Sequence, residues 1–197
     1  MPSVWIETGT ALALGYLLGS IPFGLLLARF GGAGDIREVG SGNIGATNVL
    51  RTGRKGLAAA TLLLDLLKGT VAVLLAAHFL PGFEVIAAGA AFFGHLYPIW
   101  LGFKGGKGVA TYAGILFGLN WPLGLIYGVC WIGVLLASRI SSLGGLVAAA
   151  VAPIAAAFLG QTHLVILLVA CSLIVFWKHR ENIQRLMAGT EPRIGKK

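Results

Sequence analysis

Seven apolar stretches, almost without charge, fill most of this chain: residues 5–28, 56–79, 84–101, 109–119, 123–137, 143–159 and 164–177. Water is the wrong solvent for such a chain. Charged residues make up 11% of the sequence, against about 25% in an ordinary soluble domain, and mean hydropathy is +0.87. In lipid every backbone polar group has to be paired within the protein, so only helices or closed barrels cross a bilayer. A barrel would show short segments alternating polar and apolar residues. Runs such as 56–64 and 165–175 do not alternate. The expectation is an all-α fold: a polytopic integral membrane helical bundle of about seven transmembrane helices, forming one domain over residues 1–197. A crossing helix needs about 20 apolar residues, so the fourth and fifth stretches are short. Asn120-Trp121-Pro122 reads as a turn between them, and five spans with a re-entrant segment is the alternative.

The cations orient the bundle. Formal net charge is +8, which in a soluble protein would point to nucleic acid. Here the basic residues lie between the apolar stretches, so no nucleic-acid partner is expected. With seven spans and the N-terminus outside, the inner segments are 29–55, 102–108, 138–142 and the tail from 178, and they hold every Lys and Arg except Lys68. The outer side receives Glu7, His78, Glu84 and His163. This asymmetry predicts cytoplasmic loops and a cytoplasmic C-terminus. Residues 1–10 contain Glu7 and no Lys or Arg, so the first stretch reads as a retained span rather than a signal peptide. Gly15/Gly19, Gly114/Gly118 and Gly124/Gly128 recur at helical spacing and predict close helix packing. Cys130 and Cys171 lie within apolar runs and read as packing residues without a disulfide framework. Asp65 and Lys68, three residues apart in the second stretch, read as a structural ion pair facing the bundle interior.

Against this background, GSGNIGATN (residues 40–48) stands out. Gly40, Gly42 and Gly45 match G-x-G-x-x-G, but a dinucleotide fingerprint requires a strand and a βαβ unit around it, and a membrane span precedes this one. The physical content is different. Glycines let successive N–H groups converge into an anion-binding nest, Ser41, Asn43, Thr47 and Asn48 add neutral donors, and Arg51, Arg54 and Lys55 follow. Donors with cations describe a phosphate site; a loop with ordinary flanking charge is the alternative.

Two further elements share this character. In GHLYPIWLGFKGGKGVAT (residues 94–111), Pro98 should end or kink the third span, and Lys104 and Lys107 sit among Gly102, Gly105, Gly106 and Gly108. No Walker A pattern aligns anywhere, so this is a second anion cradle or a basic inner loop. In KHRENIQR (residues 178–185), a helix continuing the last span would place His179 and Asn182 on one face and Glu181 within reach of Arg185. Ser141 and Ser142 follow Arg139 and can donate to an anion or cap the next helix. His78, His95 and His163 lack metal-ligand spacing, and no metal is expected.

GSGNIGATN with Arg51, then GHLYPIWLGFKGGKGVAT, then HRENIQRL closely resemble the three motifs of the bacterial acyl-phosphate:glycerol-3-phosphate acyltransferases, the PlsY family. The likeness covers nearly the whole chain. It implies a multi-pass enzyme of the bacterial cytoplasmic (inner) membrane with seven helices and its active site at the cytoplasmic face. It implies transfer of a fatty acyl group from acyl phosphate to the sn-1 hydroxyl of glycerol 3-phosphate, giving lysophosphatidic acid and phosphate in the first acylation of phospholipid synthesis. No H-x-x-x-x-D, the motif of other glycerolipid acyltransferases, occurs here.

Acyl phosphate is an activated mixed anhydride, so such a reaction requires no cofactor, metal or covalent nucleophile. It requires that two anions be held together against strong repulsion at low dielectric. Arg51, Lys104 and Lys107 are expected to offset that repulsion, with Ser41, Ser142, Asn182, Asn43, Thr47 and Asn48 as neutral donors and the amides at Gly42, Gly105 and Gly106 near the developing oxyanion. Ser41, Lys104, His179 and Asn182 are the candidate catalytic set. His179 is the candidate general base; a phosphate oxygen of a bound substrate is an equal rival. The four inward-facing stretches are expected to converge on one positive basin, with the acyl chain along lipid-facing helices and the protein acting as a monomer. A membrane transporter or channel for an anionic phosphorylated metabolite is the rival class. Transporters, however, place their sites near the bilayer midplane, whereas these motifs cluster at one face.

Overall fold

The structure, a computed structural model, describes residues 2–195, and among these all regular structure is helical. The helices are α1 (Pro2–Gly19), α2 (Phe23–Phe30), α3 (Ala46–Leu50), α4 (Lys55–Phe79), α5 (Glu84–Leu96), α6 (Val109–Leu119), α7 (Trp121–Ser138), α8 (Ser141–Phe158), α9 (Thr162–Lys178) and α10 (Arg180–Met187). Two 3₁₀ turns, Ile36–Glu38 and Ile99–Leu101, complete the set. The apolar stretches read from the sequence are helical, with breaks at residues 20–22 in the first and 97–98 in the third. By length and apolar character, five can cross a bilayer: Ser3–Phe30 (α1 with α2), α4, Glu84–Leu101, α7 and α8. A sixth arises if α9 and α10 count together across a 62° bend. α6 has 11 residues, a length of about 16 Å against a hydrocarbon core of about 30 Å.

The chain divides into two compact units, the first ending at Leu119 and the second starting at Asn120. In the first unit α1 lies along α5, α4 packs on α6, and α2 and α3 pack on α4. Small residues permit this. A Cβ on Gly19 would run into the carbonyl of Ala91, and one on Gly114 into that of Leu66. The expected close approach holds for Gly15/Gly19 and Gly114/Gly118. It fails at Gly128, which faces open space.

Pro22 breaks the first span, because its ring and missing N–H cannot continue a helix. The break exposes two carbonyls, and side chains from elsewhere cover both. Trp100 Nε1 donates to Ser20 O at 2.7 Å, and Lys68 Nζ to Ile21 O at 2.8 Å. Lys68 Nζ also lies 2.6 Å from Asp65 Oδ1, both side chains at most 4% exposed. The ion pair read from the sequence therefore also pins a helix break. Pro98 acts as expected: α5 ends at Leu96 and a 3₁₀ turn follows.

In the second unit α7, α8 and α9 pack in sequence, and α10 leaves the end of α9 at a 62° bend. The Asn120 side chain caps α7 by accepting from Leu123 N at 3.3 Å. Cys171 is buried and Cys130 half-buried, both as thiols.

Candidate active site

The glycine-rich loop of residues 40–48 is built from within. Asn48, 2% exposed, donates to Ile36 O at 2.7 Å and accepts from Ser41 N at 3.1 Å and Ser41 Oγ at 3.4 Å. Asn43 Oδ1 accepts from Gly45 N at 2.9 Å, and Gly42 N donates to Val39 O at 3.0 Å. Three amides of the expected anion nest, those of Ser41, Gly42 and Gly45, are thus taken up by nearby acceptors of the chain itself. Asn48, Asn43 and Gly42 shape the loop, while the exposed side chains of Ser41 and Arg51 remain on its surface. Gly40 has φ +56°, and a Cβ there would sit 2.9 Å from an Arg51 guanidinium nitrogen. Glycine both turns the chain and clears a path for the arginine. Thr47 lies half-buried in α3.

Two neighbouring arginines, Arg29 and Arg37, share one carboxylate. Asp35 accepts from Arg37 Nε at 2.9 Å and Arg37 N at 3.0 Å, with Arg29 at 3.4 Å. The Arg37 side-chain bond, then its backbone bond, hold the Asp35 carboxyl well below the usual carboxylate range. Arg51 and Lys104, by contrast, form no ion pair among the described residues.

The lysine-bearing turn seats on the same core. Leu101 packs against the cluster of Leu25, Ile36, Ile44 and Val49 that underlies the first loop. Gly105 N donates to Leu96 O at 3.1 Å and Gly106 N to His95 O at 3.0 Å. These amides cap the last carbonyls of α5 instead of pointing toward an anion. What the turn offers a ligand is therefore the side chains of exposed Lys104 and half-buried Lys107.

The second unit gathers three polar side chains around a residue that the motif reading passed over. Glu191 accepts from Ser142 Oγ at 2.6 Å, from Asn182 Nδ2, and from Arg185 Nε at 2.7 Å. Its side chain is 5% exposed. Burial alone would raise its pKa, but the bonds from Ser142, Asn182 and Arg185 outweigh it and the value is lowered. Two expectations are corrected here. Arg185 pairs with Glu191 at 2.7 Å, not with Glu181, although Glu181 lies one turn before it within α10; Glu181 is left 68% exposed beside Arg180. Nor does a serine side chain cap α8, whose N-cap residue is Ile140. The one available signal for Glu191 was an acid within a strongly basic tail.

His179 lies at the α9–α10 joint, 3% exposed, with Nδ1 2.8 Å from Val175 O. A carbonyl can only accept, so Nδ1 carries the proton and the neutral ring has its basic lone pair on Nε2. Asn182 is buried one turn further on.

A helical membrane protein with Arg51 and Lys104 free of ion pairs among the described residues, on the glycine-rich turns of one unit, and a buried His and Asn at a helix joint of the other, belongs to a class equipped to handle anions. The profile of the family described as glycerol-3-phosphate acyltransferase matches residues 9–189. A glycerol-3-phosphate acyltransferase of Mesorhizobium japonicum is 63% identical over 95% of this chain and 96% of its own length. One of Rhodopseudomonas palustris is 59% identical over 95% and 96%. Among solved structures, PlsY, an integral membrane glycerol 3-phosphate acyltransferase, matches in its glycerol 3-phosphate form with a TM-score of 0.90 at 36% identity, over 95% of this chain and 96% of that one. Its lysophosphatidic acid form matches with a TM-score of 0.87 at 34% identity, over 95% of each chain. The chain belongs to the glycerol-3-phosphate acyltransferase family, and it is an enzyme of the membrane.

Proposed function

We infer that the protein transfers a fatty acyl group from acyl phosphate to the sn-1 hydroxyl of glycerol 3-phosphate, releasing lysophosphatidic acid and phosphate. The observation that carries this reading is the pair Arg51 and Lys104: cations without a carboxylate partner, on two turns that share one apolar core. Arg51 supplies a bidentate fork and Lys104 a point charge, with Lys107 alongside and Ser41 as neutral donor. His179 Nε2 takes the hydroxyl proton as the oxygen attacks the acyl carbon. The new ester C–O bond forms, the bond to the phosphate oxygen breaks, and phosphate leaves. Asn182 acts on the reacting groups from a position set by Glu191, while Ser142 gives its single O–H to that carboxylate and supports it instead of donating to a substrate anion. The protein sits in the bacterial inner membrane as a single-domain monomer with seven spans, its N-terminus outside and these turns on the cytoplasmic side. The acyl chain lies along lipid-facing helices.

The test is acceptor-dependent phosphate release by the purified protein given an acyl phosphate and glycerol 3-phosphate, with acyl-CoA as control donor. Release that ignores the acceptor, or equal use of acyl-CoA, would refute the reading. For the proton, the pH–rate profile of His179→Gln decides. Loss of the neutral-pH rate with unchanged KM is expected; a raised KM with alkaline turnover intact would transfer the base role to a substrate phosphate.

A further inference from the structure

His95 has no part in the chemistry above, yet it is a buried polar side chain of the first unit pressed on two sides. It lies in the last turn of α5 and is 4% exposed. On one side its Nδ1 faces Asp65 Oδ1 at 3.8 Å, the same oxygen that Lys68 Nζ contacts at 2.6 Å. On the other side Nε2 lies against Gly106, so closely that a Cβ there would collide with the ring. The backbone ties run in parallel: Gly106 N to His95 O, and Gly105 N to Leu96 O. Thr111 Oγ1, just beyond the turn, donates to the backbone carbonyl of Asp65 at 2.9 Å.

An ion pair buried at this depth is costly and is retained for what it holds in place. Here the pair holds two things. Lys68 pins the break between α1 and α2, and Asp65 presents a fixed negative edge to the imidazole that backs the lysine turn. We propose that His95, wedged between the Asp65 carboxylate and Gly106, is a positioning residue for the Gly105–Lys107 turn and through it for phosphate binding by Lys104 and Lys107. This rests on the phosphate-binding reading of that turn. The imidazole acts as a spacer with a polar edge: it sets how far the turn stands from the end of α5 and in which direction the two lysines leave it. A histidine serving only to fill volume would be replaceable by another ring.

His95→Phe, His95→Asn and Asp65→Asn are the variants to compare. His95→Phe keeps a ring and loses both nitrogens; it should raise KM for glycerol 3-phosphate by about 10-fold or more while kcat changes less than about 3-fold. Asp65→Asn should move KM in the same direction. His95→Asn, which keeps a polar edge toward Asp65, should recover part of the loss. Protection of the protein against thermal unfolding by inorganic phosphate, read without turnover, should be reduced in the same order. A wild-type KM in His95→Phe, or undiminished phosphate protection, overturns the proposal. Failure of all three variants to fold also overturns it, assigning the cluster to stability alone. If wild type releases no acceptor-dependent phosphate, the functional reading fails by itself, and phosphate protection then decides the positioning role separately.

Discussion

Glu191 shows how much one side chain can organise. Its two oxygens accept from Ser142, Asn182 and Arg185, so a neutral amide in its place would meet donors with donors. Glu191→Gln should destabilise the protein by about 2 kcal/mol, since bonds to a charged group are worth more than neutral ones. The pH dependence has a definite sign. The folded pKa lies below the ordinary glutamate value, so the contribution is present above that ordinary value and is lost as pH falls through the lowered one. Thermal midpoints of wild type and Glu191→Gln should differ at neutral pH and converge in acid. At Arg51 the fork matters more than the charge. Arg51→Lys should cut kcat/KM by about 10²-fold, measured in the phosphate-release assay, because a point charge cannot make a bidentate contact. The sequence revealed the cations and the buried His and Asn because their residue types are rare in apolar chains. It concealed Glu191, nine residues from Asn182 and forty-nine from Ser142, because its partners meet it only through folding. It also misassigned the glycine-loop amides, since nothing in GSGNIGATN shows that Asn48, Asn43 and the Val39 carbonyl answer them.

At the scale of the helix, glycine has two meanings that spacing alone does not separate. Gly19 is pressed against the backbone of Ala91, whereas Gly128 faces open space. Gly19→Ala should therefore destabilise the α1–α5 pair by about 1–3 kcal/mol through overpacking. Gly128→Ala should be neutral or stabilising by up to about 1 kcal/mol, the ordinary helix-propensity gain. Thermal unfolding in detergent would distinguish them, and equal effects would contradict the packing described here. The helices themselves were legible because lipid imposes one simple requirement, uninterrupted apolar length, and because Pro98 and Asn120 punctuate it; the break at Pro22 divides a stretch, residues 5–28, that reads as one span. The 62° bend after Lys178 was not legible. Residues 178–185 satisfy helical spacing throughout, with no Pro or Gly at the joint to mark it.

For the whole molecule the charge asymmetry makes a topological prediction. With Cys130 replaced by serine, the remaining Cys171 is 2% exposed and should stay silent. Arg54→Cys should then react with a membrane-impermeant thiol reagent only from the cytoplasmic side, and His163→Cys only from the opposite side. Labelling of both from one side would contradict the seven-span arrangement and require one stretch, with 11-residue α6 the first suspect, to turn back within the bilayer. The tail adds a constraint of another kind. Beyond α10 the chain returns to the α7–α8 corner, where Ile194 N donates to Arg139 O at 2.7 Å a few residues after Glu191 has engaged Ser142. During synthesis the ribosome must therefore release residues 191–194, which follow the last apolar stretch, before Ser142 and Asn182 acquire their partner. A frameshift or protease nick near residue 188 would leave an inserted but inert protein, and an affinity handle fused here needs a spacer long enough to let the clasp close.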